Sequence, residues 1–277
     1  MQSRNKKSFE KRKAVSKAPR AGKGNGCPHY KKCGGCHLQN MTYEEQLQYK
    51  QVKAIKLLGR FCHVKEIIGM ETPVHYRCKV QAAFGRDKSG IISGVYQSST
   101  HKIVPIDSCM IEDEKADAII VTVRALLKSF KLKPFDENSM TGFLRHVLVR
   151  KGYYSGQIMV VLVTGTPIFP SSRQFVNALL ERHPEITTVV QNINNKFTSL
   201  VLGERSITLY GDGYIEDSIF GLQLQNISAL FLSGESCDDY PALQQGYRIY
   251  GSYRKRDRYR CLLRYGYYRH TRLAQGR

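Results

Sequence analysis

Three cysteines fall within ten residues, in Cys27-Pro-His-Tyr-Lys-Lys-Cys33-Gly-Gly-Cys36, and this constrains the chain more than any other stretch. Thiolates that serve one centre must converge, and closely spaced cysteines on a glycine-containing loop supply three corners of a tetrahedral site. The fourth ligand must come from elsewhere. Cys109, in Ile106-Asp-Ser-Cys109-Met-Ile where a strand gives way to a helix, is the best candidate. An all-thiolate set suits zinc or an iron–sulfur cluster, and a zinc knuckle could also recruit His29 or His37. Cys62 and Cys78 have no partner at useful spacing and read as buried small residues.

No apolar run approaches the roughly eighteen residues of a membrane span, and the polar N-terminus has no signal-peptide core. The expectation is a cytoplasmic, monomeric protein whose eight cysteines are reduced or metal-bound. A formal charge of +20 points to a polyanionic partner such as nucleic acid. That charge is unevenly spread. Residues 1–26 carry nine Lys/Arg against one Glu, and residues 230–277 carry ten against four acids. The body between these ends is only modestly basic.

Taken in order, residues 1–26 read as a disordered basic arm. Residues 27–72 hold the cysteine loop and a helix opened by the capping-box pattern Thr42-Tyr-Glu-Glu45 and closed near Gly59. Residues 73–228 read as an α+β domain of mixed antiparallel sheet. Val80–Phe84 and Ile91–Tyr96 form a hairpin about Asp87-Lys-Ser-Gly90, and His101–Ile106 leads to Cys109. Asp113 to about Lys131 is a helix with Ile119, Ile120 and Val123 on its apolar face. Phe143–Arg150 and Gln157–Thr164 form a second hairpin, Ser171 or Ser172 caps a helix to Arg182, and Thr187–Gln191, Thr198–Gly203 and Ser206–Tyr210 are strands. The order does not read as a run of βαβ crossovers.

With these elements in place, the chain resembles the RumA/TrmA-type RNA (uracil-5-)-methyltransferases, and most closely the 23S rRNA branch that carries a [4Fe–4S] cluster. The resemblance rests on Cys27-x5-Cys33-Gly-Gly-Cys36 with Gln39-Asn40, His75-Tyr-Arg-Cys-Lys-Val80, Ser108-Cys109, Leu144-Arg-His-Val-Leu-Val-Arg150, Gln157–Val163 and Gly211-Asp-Gly-Tyr-Ile-Glu216. It implies that Cys27, Cys33, Cys36 and Cys109 ligate the cluster. It also implies S-adenosylmethionine as methyl donor, 23S rRNA as partner, and a cysteine that adds to uracil C6 so that C5 can accept the methyl group. The phosphate-contact candidates are Lys31 and Lys32 beside the cysteine loop, with Arg77, Lys79, Arg145, His146 and Arg150 on the strands.

The resemblance also implies a Rossmann-like cofactor domain after residue 228, and the sequence departs from that pattern. Residues 230–277 hold eight of the 17 tyrosines and nine arginines, with no helix or strand period. Back-translated and shifted by one base, Arg258–Arg269 permits D-A-Y-C-G-M-G-T-I, which resembles the family's cofactor-binding D-x-Y-C-G-x-G-T. The same shift makes Leu230–Asp239 permit S-F-Y-Q-V-N-P-V, also family-like. Residues 229–277 therefore read as an out-of-frame tail, with the methyltransferase domain missing, no catalytic or S-adenosylmethionine residue in this frame, and Cys237 and Cys261 accidental. The expectation is a catalytically incomplete chain. The alternative is a non-enzymatic, metal-stabilised RNA-binding protein whose Tyr/Arg tail stacks on bases and pairs with phosphates.

Overall fold

The computed structural model describes residues 26–97, 100, 102–219 and 222–227. Residues up to Pro73 and residues from Val74 form two compact units, described separately. The basic arm, save Gly26, and the tail 229–277 lie outside the described residues.

In the first unit, helix α1 (Tyr43–Leu58) begins at a reciprocal capping box. The Glu45 N–H donates to the Thr42 hydroxyl at 3.3 Å, and the Thr42 N–H donates to the Glu45 carboxylate at 2.9 Å. Two backbone donors that the helix leaves over are thereby satisfied. The helix ends at Gly59, and the chain then runs back along it. The Gln51 amide donates to the Lys65 carbonyl at 3.0 Å, and the Met70 N–H donates to the Tyr43 hydroxyl oxygen at 2.6 Å. Gly69 permits this approach, since a Cβ there would lie 2.8 Å from Leu47 Cδ1. No residue of α1 is fully buried, so caps and side-chain hydrogen bonds hold this helix more than packing does. Cys62 is exposed, which corrects the reading of a buried small residue; Cys78, in the second unit, is half-buried.

In the second unit the strands are β1 (Lys79–Asp87), β2 (Gly90–Tyr96), β3 (Ile103–Pro105), β4 (Leu144–Lys151), β5 (Ile158–Thr164), β6 (Ile186–Ile193) and β7 (Arg205–Tyr210), with helices α2 (Glu114–Ser129) and α3 (Ser172–Arg182). They form a seven-stranded sheet in the order β3-β2-β1-β4-β5-β6-β7. A separate hairpin pairs β8 (Tyr214–Ile219) with β9 (Leu222–Ile227). The sheet is antiparallel except between β5 and β6, which run parallel and are joined through α3. A mixed, mainly antiparallel sheet that is not a run of βαβ crossovers is what the sequence pattern implies, and the single crossover between β5 and β6 is the one addition. A parallel neighbour cannot be reached by a tight turn, and residues 165–185 supply the crossover.

Burial explains why β5 sits in the middle. All seven of its residues, Ile-Met-Val-Val-Leu-Val-Thr, are buried. Ile158, Val160 and Leu162 pack beneath α2 and α3, with Ile119, Val123, Leu127, Phe175 and Leu179. Met159, Val161 and Val163 face the other way, onto Leu148, Val190 and Ile215 of β8. A strand covered on both faces reads as a continuous apolar run, without the alternation of a one-sided sheet. At the β2–β3 edge, Gly94 is required, because a Cβ there would lie 1.9 Å from the Val104 carbonyl oxygen.

Two local features differ from the sequence reading. Thr198–Gly203 is irregular and not a strand, because buried asparagines take its backbone groups. Asn194 donates to the Leu200 and Val201 carbonyls at 2.7 and 3.1 Å, and Asn192 both accepts from and donates to Gly203. Ser171 precedes α3 with φ 54° and makes no side-chain cap. Helix α2 is closed by a Schellman motif. The Lys131 N–H donates to the Lys128 carbonyl at 3.2 Å and the Leu132 N–H to the Leu127 carbonyl at 2.9 Å. Lys131 itself holds φ 54°, a position where glycine is usual. Among the described residues no helix is long and apolar enough to cross a membrane.

The β4–β5 turn is pinned by one side chain. Asp217 accepts backbone N–H bonds from Tyr153 (2.8 Å), Tyr154 (3.0 Å) and Ser155 (3.3 Å), so β8 is tied to a turn more than sixty residues away. Asp217→Ala leaves these three donors without their charged acceptor. The expected loss is about 2 kcal/mol of unfolding free energy, read as a lower urea midpoint at unchanged m-value.

Candidate nucleic-acid interface

Arg145 stands where β4 carries a bulge, between the pairings of Leu144 and His146 with β5. Its side chain is 1% exposed. The Nε and Nη2 groups donate to the Glu137 carboxylate at 2.8 to 3.2 Å, and Nη1 donates to the Asn194 and Lys196 carbonyls at 2.9 and 3.0 Å. The guanidinium also lies 4.8 Å from the centre of the Phe135 ring. This fork is committed to the fold: it holds the 133–141 connector and the 194–203 loop against the sheet.

His146, the next residue, pairs across β1 with Ala83 and meets the Tyr96 ring edge-on at 6.3 Å between centroids. It is 6% exposed, and its Nδ1 has no hydrogen-bond partner. Burial, and then the Arg145 charge, lowers its pKa to about 4, so the ring is neutral at physiological pH. On the same face of the sheet, Lys79 and Arg150 are direct cross-strand partners. Burial lowers both pKa values; Arg150 adds to the effect on Lys79, while Asp217 opposes it at Arg150. Like charges paired across strands are relieved by nearby negative charge, and Asp217 supplies it beside Arg150.

At the same end of β1, the segment that leads in from Val74 runs directly into Lys79. Residues 75–77 run alongside 110–113: the His75 N–H donates to the Met110 carbonyl, the Arg77 N–H to Ile111, and the Asp113 N–H to Arg77. This pairing places Arg77 Nη1 3.9 Å from the buried Glu112 carboxylate. Asp117 accepts from the Cys109 N–H at 2.7 Å. Burial and mutual repulsion raise the pKa of Glu112, and burial raises that of Asp117, so the pair favours sharing a proton. Burial, and then the Glu112 charge, pushes the Cys109 thiol up to about 11. Sequence reasoning picked out Cys109, Arg77 and the motif that begins at His75 but missed Glu112 and Asp117, because acids at the start of a helix read as capping residues.

Cys27, Cys33 and Cys36 are half-buried thiols on one loop of the first unit, and Cys109 belongs to the second. The Gly35 N–H points at Cys33 Sγ, 3.4 Å away, the kind of bond a thiolate accepts. Lys31 and Lys32 are exposed beside it, Lys31 Nζ 5.8 Å from the Tyr30 ring centre. Thiols are the right donors for a soft metal centre. Among the described residues no three His, Cys, Asp or Glu side chains are grouped to hold a metal ion. The structure therefore gives no support to the [4Fe–4S] assignment.

No family model matches the chain. Its curated relatives do. It is 40% identical over 200 residues to an uncharacterized RNA methyltransferase of Clostridium acetobutylicum, covering 70% of this chain and 44% of that protein. It is 41% identical over 197 residues to an uncharacterized RNA methyltransferase of Clostridium tetani (70% and 43%). A third such protein, from Oceanobacillus iheyensis, is 39% identical over 193 residues (68% and 42%). The chain thus spans less than half the length of these relatives. Among solved structures, the tRNA (uracil-54, C5)-methyltransferase of Pyrococcus abyssi, in complex with S-adenosyl-L-homocysteine, matches with a TM-score of 0.62 at 22% identity, over 79% of this chain and 50% of that one. The expectation that a methyltransferase fold is missing is corrected by this match, since most of the chain shares its fold with half of a methyltransferase. The reading of residues 229–277 as out of frame, with Cys237 and Cys261, falls outside the described residues.

The buried neutral His146 makes a pH prediction. Its folded pKa lies below the ordinary 6.5, so the unfolded chain takes up the proton first and stability falls as pH drops from about 7 to 4. His146→Phe removes this term. The difference in unfolding free energy between wild type and variant should shift by about 3 kcal/mol across that window, measured by urea denaturation at each pH.

Proposed function

We propose that this chain is part of an RNA (uracil-C5)-methyltransferase that uses S-adenosylmethionine and modifies a uridine of 23S rRNA. The observation that carries the reading is the 40% identity over 200 residues to RNA methyltransferases. The shared fold with a uracil-C5 enzyme and the ordered motifs from Cys27 to Glu216 support the base and the carbon. In this reading the second unit presents RNA with a basic sheet face. Lys79 and Arg150, adjacent on β1 and β4, offer positive charge to a backbone phosphate, and Arg77 extends the contact toward the Cys109 loop. Lys31 and Lys32 provide further phosphate contacts from the first unit. Arg145 is a positioning residue that shapes the connector and loop around the face, and His146 keeps the strand neutral and dry beside it.

Two measurements test this. Methyl transfer from radiolabelled S-adenosylmethionine is assayed on unmodified 23S rRNA and tRNA transcripts, alongside filter binding of both RNAs. Both RNAs are tested with the chain as given and with the frame beyond residue 228 restored. No incorporation is expected from the former and incorporation into 23S rRNA alone from the latter, with Lys79→Gln/Arg150→Gln weakening binding about tenfold or more. Incorporation into tRNA alone would reassign the substrate. Binding without methyl transfer even in the restored frame would favour the non-enzymatic RNA-binding alternative.

The cysteine pattern adds a second part, resting on sequence spacing: Cys27, Cys33, Cys36 and Cys109 hold a [4Fe–4S] cluster that orders the loop. Anaerobically purified protein should contain about four irons with matching acid-labile sulfide, lost on Cys33→Ser. A zinc-only preparation would replace this assignment with a structural zinc site.

A further inference from the structure

We infer that a basic groove on the helix-covered side of the sheet, between the β1–β2 turn and the C-terminal end of α2, is a second phosphate-backbone site for the RNA. The groove has a volume of about 450 Å³, ample for a phosphate with its sugar. Its rim carries Arg86, Arg124, Lys128, Lys131 and Lys133, and no Asp or Glu lines it. Arg124 is already paired, 2.7 Å from Asp107 and 3.2 Å from the Ser93 hydroxyl. The other four are exposed, and none forms an ion pair with a described residue. Asp87, in the same turn, is occupied by the Ser89 N–H and hydroxyl at 2.8 and 2.6 Å.

A helix C-terminus attracts cations on its own account, which is enough to explain Lys128. It does not explain why Arg86 arrives from the end of β1 and Lys133 from the α2–β4 connector to line the same cavity. Lys131 adds an independent mark. It occupies the left-handed position of the Schellman motif, where glycine would relieve the backbone, yet the chain keeps a long cationic side chain there. Arg86 lies seven residues along β1 from Lys79, about 23 Å in an extended strand. The groove is therefore a separate contact from the Lys79/Arg150 pair, and an RNA that reaches both extends well beyond one nucleotide. Its apolar floor, from Ile91, Leu127 and Leu132, offers no base-edge readout, so the contact strengthens binding without selecting sequence.

The identity of the anion rests on the RNA reading above, and the experiment separates the two. A fluorescein-labelled, unmodified stem–loop of 23S rRNA is titrated with the full chain between about 50 and 200 mM salt. The proteins compared are wild type, Lys131→Gly, Lys128→Gln/Lys133→Gln, Lys79→Gln/Arg150→Gln, and the charge-matched control Lys50→Gln/Lys53→Gln on α1. Lys131→Gly should keep or raise the melting temperature while binding about fivefold more weakly at 0.1 M salt, with its log–log salt slope reduced by about one. The Lys128/Lys133 double variant should lose about twice that slope, and the control should match wild type. If Lys79→Gln/Arg150→Gln weakens binding but the groove variants keep the wild-type slope, the groove site is refuted and the RNA reading stands. A control as impaired as the groove variants also refutes the site, since bulk charge then explains the effect. If wild type binds no RNA, both readings fall together.

Discussion

Everything in the second unit leans on β5 being dry on both faces. Once Ile158–Thr164 is surrounded, its neighbours are dictated: a hairpin partner on one side, β4, and a parallel partner on the other, β6, delivered by α3. Hydrophobic transfer from both faces of one short strand gives the sheet its centre, because each buried valine or leucine contributes about 1.5 to 3 kcal/mol relative to exposure. The helices and the β8–β9 hairpin are then lids on opposite sides of the same strand.

Around that apolar centre, charge is used for fastening as much as for recognition. Arg145 spends all of its donors on one carboxylate and two carbonyls, and Asp217 gathers the N–H groups of a distant turn. Both hold irregular backbone that hydrophobic packing alone cannot hold, because loops have no ladder to satisfy their polar groups. The consequence for function is a division of labour among cations close in sequence. On β4, Arg145 is internal, whereas Arg150, five residues later, lies beside Lys79 on a half-buried face. Net charge counts both equally and distinguishes neither.

Local signals are legible in the chain itself. The Thr42–Glu45 box, the Asp87–Gly90 turn, the helix from Asp113 and the Gly59 stop all act over four residues or fewer, and they lie where the pattern places them. The departures arise at longer range. Thr198–Gly203, with its apolar Leu-Val-Leu run, reads as a strand, but Asn192 and Asn194 intercept its backbone. Cys62 looks like a core residue by type and is exposed. The basic run Arg145-His146 looks like a phosphate face, yet one member is a buried fork and the other a buried neutral ring.

The sequence alone determined the kinds of element, the cysteine spacing and the likeness to RNA uracil methyltransferases, because these depend on residue types at short separation. Only the tertiary structure decided that β5 and β6 run parallel, that Glu112 and Asp117 share the Cys109 neighbourhood, and that cations from three separate elements meet in one groove. Pairings of that kind depend on which faces are removed from water when the whole domain closes. Burial is a property of the assembled sheet, and no local stretch of chain carries it.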